Sequence, residues 1–214
     1  MPPHFLRTVA IDGAGLGPRP PGRRSETEIG RDRKYLTPAE VDRLITTAKK
    51  RGRYGQRDAL AILMAYRHGL RVSELVNLCW SQISWDGTAR LTVKRRKGSI
   101  SGMAHALQED EVRPLRRLQK EQLSGTQFIF MGEPRNGVST RVSIAWFQRM
   151  LRRVGVQAGL PLVHAHQLRH STGFALADRG RDLREIQLHL GHKSISNTTQ
   201  YVDLRPSRLD HIWS

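Results

Sequence analysis

The sequence predicts an α+β domain that is mostly helical and contains one small antiparallel β-sheet. Apolar residues recur at helical spacing through most of residues 35–213. Only the segment 88–94 alternates in the manner of a strand that leads into a hairpin. Capping residues and glycines mark where several helices begin and end.

Residues 1–34 are predicted to form a flexible arm. The segment holds five of the ten prolines and five glycines, and it has neither helical nor alternating periodicity. Residues 35–214 are long enough for one domain with its own core. We therefore expect a single folded domain over 35–214.

The domain is predicted to begin with three helices. In the run 37–40, Thr can cap a helix, Pro suits the first helical position and Glu completes a capping box, so a helix should extend to about residue 50. The stretch 57–68 is apolar on most sides and stops at Gly69, which is typical of a central core helix. Another helix is expected from about Ser73.

The middle of the chain is predicted to contain the sheet. Alternation and Thr/Val content over 88–94 indicate a strand, and the run Arg95-Arg96-Lys97-Gly98-Ser99 is typical of a basic turn leading to the next strand. Helices are expected over 111–123 and 143–154, with a short strand over 128–131.

The last part of the chain is predicted to be nearly all helix. Helices are expected over 166–179, 182–190 and 194–202, and glycines follow the first two. An amphipathic terminal segment bears Leu209, Ile212 and Trp213.

The charge of the chain indicates a polyanionic partner. Its net charge is +17, of which +14 falls after residue 34, so nucleic acid is the natural candidate, although ribosomal proteins share the trait.

No apolar run approaches the roughly 18 residues of a membrane span. The lone Cys79 argues against a disulfide framework. We expect a cytoplasmic, nucleoid-associated protein.

The densest cluster of reactive side chains suits a phosphate group. His166 and Arg169 lie three residues apart and therefore share a helix face, where both can address one ligand. Arg71 supplies a second guanidinium, whose planar fork of donors matches phosphate oxygens and stabilises added negative charge. Taken singly, Arg169 is equally a solvated charge, and Tyr201 a half-buried aromatic residue.

A metal site is disfavoured although five of the nine histidines fall between His164 and His192. Zinc sites usually combine His with Cys or carboxylate at fixed spacing, and the pair His166 and His170 lacks the Glu of a metallohydrolase helix. No cofactor is expected.

Four motifs, in this order, resemble the signature of the tyrosine recombinase (phage integrase) family. They are Gly69-Leu70-Arg71-Val72-Ser73-Glu74-Leu75, the basic turn, His166-Gln167-Leu168-Arg169-His170, and Leu190-Gly191-His192 with Tyr201 nine residues after that last His. The similarity covers 35–213 and is greatest to the small recombinases that invert the fimbrial promoter switch. The resemblance implies that family's catalytic-domain fold without a separate N-terminal core-binding domain.

The resemblance also implies six catalytic residues: Arg71, Lys97, His166, Arg169, His192 and Tyr201. Tyr201 would attack the scissile phosphodiester, form a 3′-phosphotyrosyl link and release a 5′-hydroxyl. The two arginines would hold the non-bridging oxygens. A phenol with a pKa of about 10 needs such a cationic pocket to attack at neutral pH.

The remaining three residues would handle protons and the phosphate. His166 would serve in proton transfer and phosphate binding, His192 would hydrogen-bond the phosphate, and Lys97 would protonate the leaving 5′-oxygen. Lys94 is the alternative hairpin lysine, three residues earlier. Glu74 is expected to orient a neighbouring arginine.

The expected partner is double-stranded DNA, bound by a homodimer at each site and by a homotetramer when two sites pair, with room for a DNA-bending accessory protein. Five arginines are candidates for DNA contact: Arg95, Arg96, Arg149, Arg152 and Arg153. The terminal segment packs either on the neighbouring protomer or on its own domain.

Two other functions fit the same residues. One is a DNA-binding regulator without catalysis, and the other is a type IB topoisomerase, which cuts and reseals one strand without exchanging partners. Within the recombinase class, inversion of a promoter segment, multimer resolution and integration of an element all stay open.

Overall fold

The computed structural model describes residues 34–95, 99–100, 102–122, 125–134, 136 and 138–201. Eight α-helices, one short 3₁₀ helix (Trp80–Gln82) and three strands are assigned over these residues. The helices are α1 (Pro38–Lys49), α2 (Gly55–Arg67), α3 (Val72–Leu75), α4 (Glu109–Glu121), α5 (Ile144–Gln157), α6 (Ala165–Asp178), α7 (Leu183–Leu190) and α8 (Ser196–Thr199), and the strands are β1 (Ile83–Ser84), β2 (Arg90–Thr92) and β3 (Ala104–Ala106). This architecture confirms the predicted fold class.

The capping box predicted for the first helix is present. The Thr37 hydroxyl accepts a hydrogen bond from the Glu40 amide at 3.3 Å, and the Glu40 carboxylate accepts one from the Thr37 amide at 2.7 Å. These reciprocal bonds satisfy amides that the first helical turn leaves without partners.

The core is built around α2, as its apolar sequence predicts. Its buried residues, which include Leu60, Ile62 and Met64, point in several directions around the helix. Helices α1, α4 and α6 pack against it. The residues that follow this central helix, His68 and Leu70, are therefore buried in the interior.

The sheet has three antiparallel strands in the order β1, β2, β3. Leu91 on β2 pairs with Ile83 on one side and His105 on the other, and all three side chains are buried on one face. β1 has only two residues, too few for a periodicity signal, so the sequence analysis missed it. The strand expected over 128–131 is wrong: within the described residues this segment makes only the isolated bridges Cys79–Phe128 and Met131–Arg141.

The C-terminal helices follow the predicted order, although α8 is shorter than expected. α7 ends at Gly191, whose φ of 69° is the left-handed conformation that terminates many helices. Ile186, Leu190, Ala177 and Tyr201 form a small buried cluster at this end of the molecule.

The predicted arm, the residues 96–98 of the basic turn, and the terminal segment lie outside the described residues. Among those described, no helix has both the length and the apolar character needed to cross a bilayer.

Candidate active site

Arg71 lies at the start of α3 and is held there by Glu74. Its Nη1 donates to Glu74 Oε1 at 2.8 Å, and its amide donates to Oε2 at 2.9 Å. The Arg71 side chain is 32% exposed whereas that of Glu74 is 3% exposed. The predicted ion pair is therefore present, and it holds one end of a cation that remains accessible to a ligand.

Arg169, on α6, is buried at the centre of the site. Its Nη2 donates to the carbonyl of Leu190 at 2.7 Å and its Nη1 donates to the carbonyl of Gly69. Burial and the charges of Arg95 and Arg71 lower the pKa of its guanidinium. The residue ties the loop before Arg71 to the end of α7, so three distant chain segments meet there.

Arg95 does not have the placement expected of a DNA contact. Its side chain is 2% exposed and donates to Glu74 Oε2 at 2.8 Å. It also donates to the carbonyls of Gly69, His68 and His189, at 3.1, 3.0 and 2.6 Å. The prediction for this residue was wrong, because a basic run in a turn does not reveal which of its members faces the protein interior.

Glu74 is therefore shared by two arginines. Burial by itself would raise the pKa of its carboxyl, but the charge of Arg95 and hydrogen bonds from Arg71 and Arg95 lower it. A carboxylate that stays ionised and occupied in this way orients cations and is unsuited to act as a base.

His192 follows Gly191 and lies next to α8. Its Nδ1 is 3.0 Å from the hydroxyl oxygen of Thr198, and burial and the charges of Arg169 and Arg71 lower its pKa to about 4. His166, on α6, is largely exposed, and its partial burial together with the charge of Arg169 lowers its pKa as well. Both imidazoles are therefore neutral at pH 7 and can donate or accept a hydrogen bond.

Tyr201 is docked in the same pocket with 1% of its surface exposed. Its ring lies nearly parallel to that of His192, with centroids 6.3 Å apart, and packs edge-on against Phe174 at 5.1 Å. Burial raises the pKa of the phenol, while the charge of Arg169 opposes that rise. The structure thus brings together five of the six predicted residues: Arg71, His166, Arg169, His192 and Tyr201.

The other predicted residues differ in placement. Arg149, Arg152 and Arg153 are all exposed on α5, and their spacing puts them on neighbouring turns of one face. Lys97 and Arg96 lie outside the described residues. Lys94 is exposed just after β2.

Two residues around Tyr201 were missed by sequence reasoning. The Tyr201 hydroxyl is 3.2 Å from Nδ1 of His170, and its ring lies directly on Gly173. A Cβ at Gly173 would be 2.5 Å from Tyr201 Cζ. Both residues share the helix face of His166, at four and seven residues after it, and this spacing is the signal that could have indicated them.

A second cluster of polar side chains is buried behind the site. His68 Nε2 is 2.9 Å from Glu111 Oε1, and His68 Nδ1 is 3.2 Å from His105 Nδ1. The His105 ring is tilted by 33° against that of His189, with centroids 4.3 Å apart, and His105 Nε2 has no hydrogen-bond partner among the described residues. No group of three or more potential ligands in the described part of the chain could hold a metal ion.

The sequence pattern described as the phage integrase family matches residues 34–208. The chain belongs to this family. The resemblance that the motifs indicated is thereby confirmed, and integrase-family membership covers every residue of the pocket.

Relatives of this integrase-family chain include the fimbrial proteins. Type 1 fimbriae regulatory protein FimE of Escherichia coli K12 is 36% identical over 187 residues, which cover 85% of this chain and 91% of FimE. Tyrosine recombinase XerC of Oceanobacillus iheyensis is 33% identical over 183 residues, which cover 82% of this chain and 58% of XerC.

Solved structures show the same fold. The XerA recombinase matches with a TM-score of 0.66 at 28% identity, over 84% of this chain and 63% of XerA. The XerH recombinase bound to its difH substrate matches with a TM-score of 0.68 at 21% identity, over 85% of this chain and 55% of XerH. The integrase-family chain thus spans just over half of these longer chains.

Proposed function

We propose that this chain is a site-specific DNA recombinase that breaks and rejoins DNA through a 3′-phosphotyrosyl intermediate on Tyr201. Family membership and 33% identity to a tyrosine recombinase support the reaction class. The observation that carries the proposal is the convergence of Arg71, Arg169, His166 and His192 on a tyrosine from a separate segment.

The chemistry follows from the residue types. Arg71 and Arg169 neutralise the non-bridging oxygens of the scissile phosphate, and His192 donates a hydrogen bond to one of them. Tyr201 Oη attacks phosphorus, and Lys97 protonates the 5′-oxygen as it leaves. The phosphotyrosyl bond conserves the energy of the phosphodiester, so a 5′-hydroxyl of either duplex can reverse the step.

The substrate in this proposal is double-stranded DNA with short inverted-repeat sites. The net charge of +17 and the fold shared with DNA-bound XerH support a DNA partner. Arg149, Arg152 and Arg153 contact phosphates or a groove from α5, and Arg96 does so from the basic turn. A dimer binds each site, two sites pair as a tetramer, and an accessory protein bends the DNA between them. The enzyme then works in the cytoplasm, on the nucleoid, and the arrangement of sites selects inversion, resolution or integration.

The test uses nicked suicide duplexes tiled from the DNA that flanks the gene. Wild-type protein, Tyr201→Phe and the matched control Tyr66→Phe are incubated with each duplex, and SDS-resistant protein–DNA adducts are counted. We expect adducts with wild type and Tyr66→Phe, and DNA binding without adducts with Tyr201→Phe.

Other outcomes point to the rival functions. Tight binding without an adduct for any variant would identify a regulator. If the protein forms an adduct and also relaxes supercoiled DNA that carries a single site, it is a topoisomerase. A recombinase requires paired sites for strand exchange.

A further inference from the structure

His170 is not among the six residues that the resemblance assigns, yet it contacts the predicted nucleophile. Its Nδ1 is 3.2 Å from Tyr201 Oη, with ring centroids 6.0 Å apart. It also lies one turn after His166 on α6, with the two rings edge-to-face at 4.4 Å. His170 therefore stands between the tyrosine and the exposed His166.

The packing of Tyr201 makes this contact specific. Gly173 lets the ring lie against α6, because any Cβ there would be 2.5 Å from Cζ. Phe174 meets the ring edge-on at 5.1 Å. With the ring held on two sides by one helical turn, the hydroxyl position is set by the helix that also carries His166, Arg169 and His170.

The charge state of His170 allows it to accept a hydrogen bond from Tyr201. Burial, and then the charges of His166 and Arg169, lower the pKa of His170 to about 4. The ring is therefore neutral at pH 7, and a neutral imidazole has one nitrogen that accepts. In the tautomer that carries its hydrogen on Nε2, the Nδ1 atom accepts a hydrogen bond from the Tyr201 hydroxyl.

We propose that His170 is a further catalytic residue, which orients the Tyr201 hydroxyl and takes up its proton as the oxygen attacks. The inference rests on the proposed function. In the step, the Oη–P bond forms and the P–O5′ bond breaks. The phenolic proton passes to His170 Nδ1, while the leaving 5′-oxygen takes its proton from Lys97.

The bound substrate makes this transfer easier. In the free protein, the positive charge of Arg169, which together with Arg71 would hold the scissile phosphate, disfavours an imidazolium at His170. A scissile phosphate places negative charge beside those arginines, and the transition state adds more. The same imidazole is thus a hydrogen-bond acceptor before DNA binds and a stronger base afterwards.

The experiment measures the single-turnover rate of adduct formation on a trapped nicked duplex. The variants are His170→Leu and His170→Gln, with the exposed His164→Leu of the same segment as the matched control. General-base removal typically costs about 10²–10⁴-fold in rate. We expect losses in this range for both His170 variants, with DNA affinity, unfolding midpoint and the rate of the control unchanged.

A second substrate separates the base from the acid. A 5′-bridging phosphorothiolate leaves as a thiolate and needs no protonation, so it should restore cleavage to Lys97→Ala but not to either His170 variant. The inference is overturned if the phosphorothiolate substrate restores cleavage to the His170 variants. It is also overturned if the cleavage rate of His170→Gln is within threefold of the wild-type rate. Failure of the proposed function is distinguishable, because wild-type protein itself would then form no adduct.

Discussion

Replacing Arg95 by methionine removes a guanidinium that joins the Glu74 carboxylate to three backbone carbonyls. Both side chains are at most 3% exposed, so neither has water as a substitute partner. Breaking a buried ion pair by removing one partner costs about 3–5 kcal/mol. Glu74 keeps two hydrogen bonds from Arg71, which places the expected loss at the lower end, about 3 kcal/mol.

Urea unfolding followed by tryptophan fluorescence measures this loss. For a chain of this size, about 3 kcal/mol corresponds to a fall in Tm of roughly 6–12 °C. Arg90→Met, on an exposed position of the neighbouring strand, is the control and should change stability by less than about 0.5 kcal/mol. Arg95→Lys should be intermediate, because an ammonium keeps the charge but lacks the planar fork of donors.

A double-mutant cycle with Glu74→Gln tests whether the pair itself is responsible. Contacting residues show coupling free energies of about 0.5–3 kcal/mol, whereas independent sites add. The reasoning is refuted if Arg95→Met destabilises no more than Arg90→Met, or if the cycle shows no coupling.

Three further predictions follow from the packing and electrostatics. Burial, with neighbouring positive charges, lowers the pKa of His105 to about 2 and that of His189 to about 4, against about 6.5 when unfolded. The unfolded chain therefore binds more protons below pH 6.5, and each of the two histidines lowers stability by about 1.4 kcal/mol per pH unit. Stability that is complete above pH 6.5 should fall by roughly 5 kcal/mol by pH 4.5, and an unfolding midpoint that stays flat over this window would contradict it. Gly173→Ala should displace the Tyr201 ring and slow adduct formation roughly 10²-fold while DNA affinity is retained, and wild-type rates would show that the docked tyrosine is not the reacting one. Thr37→Ala should cost about 1 kcal/mol in urea unfolding through loss of its helix cap, whereas an unchanged midpoint would mean that the cap adds nothing.

Much of the fold could be predicted because its signals are local. The Thr37 capping box, the apolar run of α2 and the glycine that ends α7 each depend on residues within one or two turns. Two-residue strands have no such signal, because their pairing partners come from elsewhere in the chain. β1 was missed for this reason, and the segment 128–131 was mistaken for a strand because its apolar side chains enter the core without ladder pairing.

The sequence by itself determined which residue types the site contains, since His166 and Arg169 share a helix face through backbone geometry alone. Tertiary structure decided where charges are buried and which groups face one another. Arg95 points inward because carbonyls from two helix ends and the Glu74 carboxylate surround it, and His170 meets Tyr201 from 31 residues away. Whether a basic side chain contacts solvent or stabilises the interior depends on acceptors that distant segments supply, so its own neighbours in sequence do not contain that information.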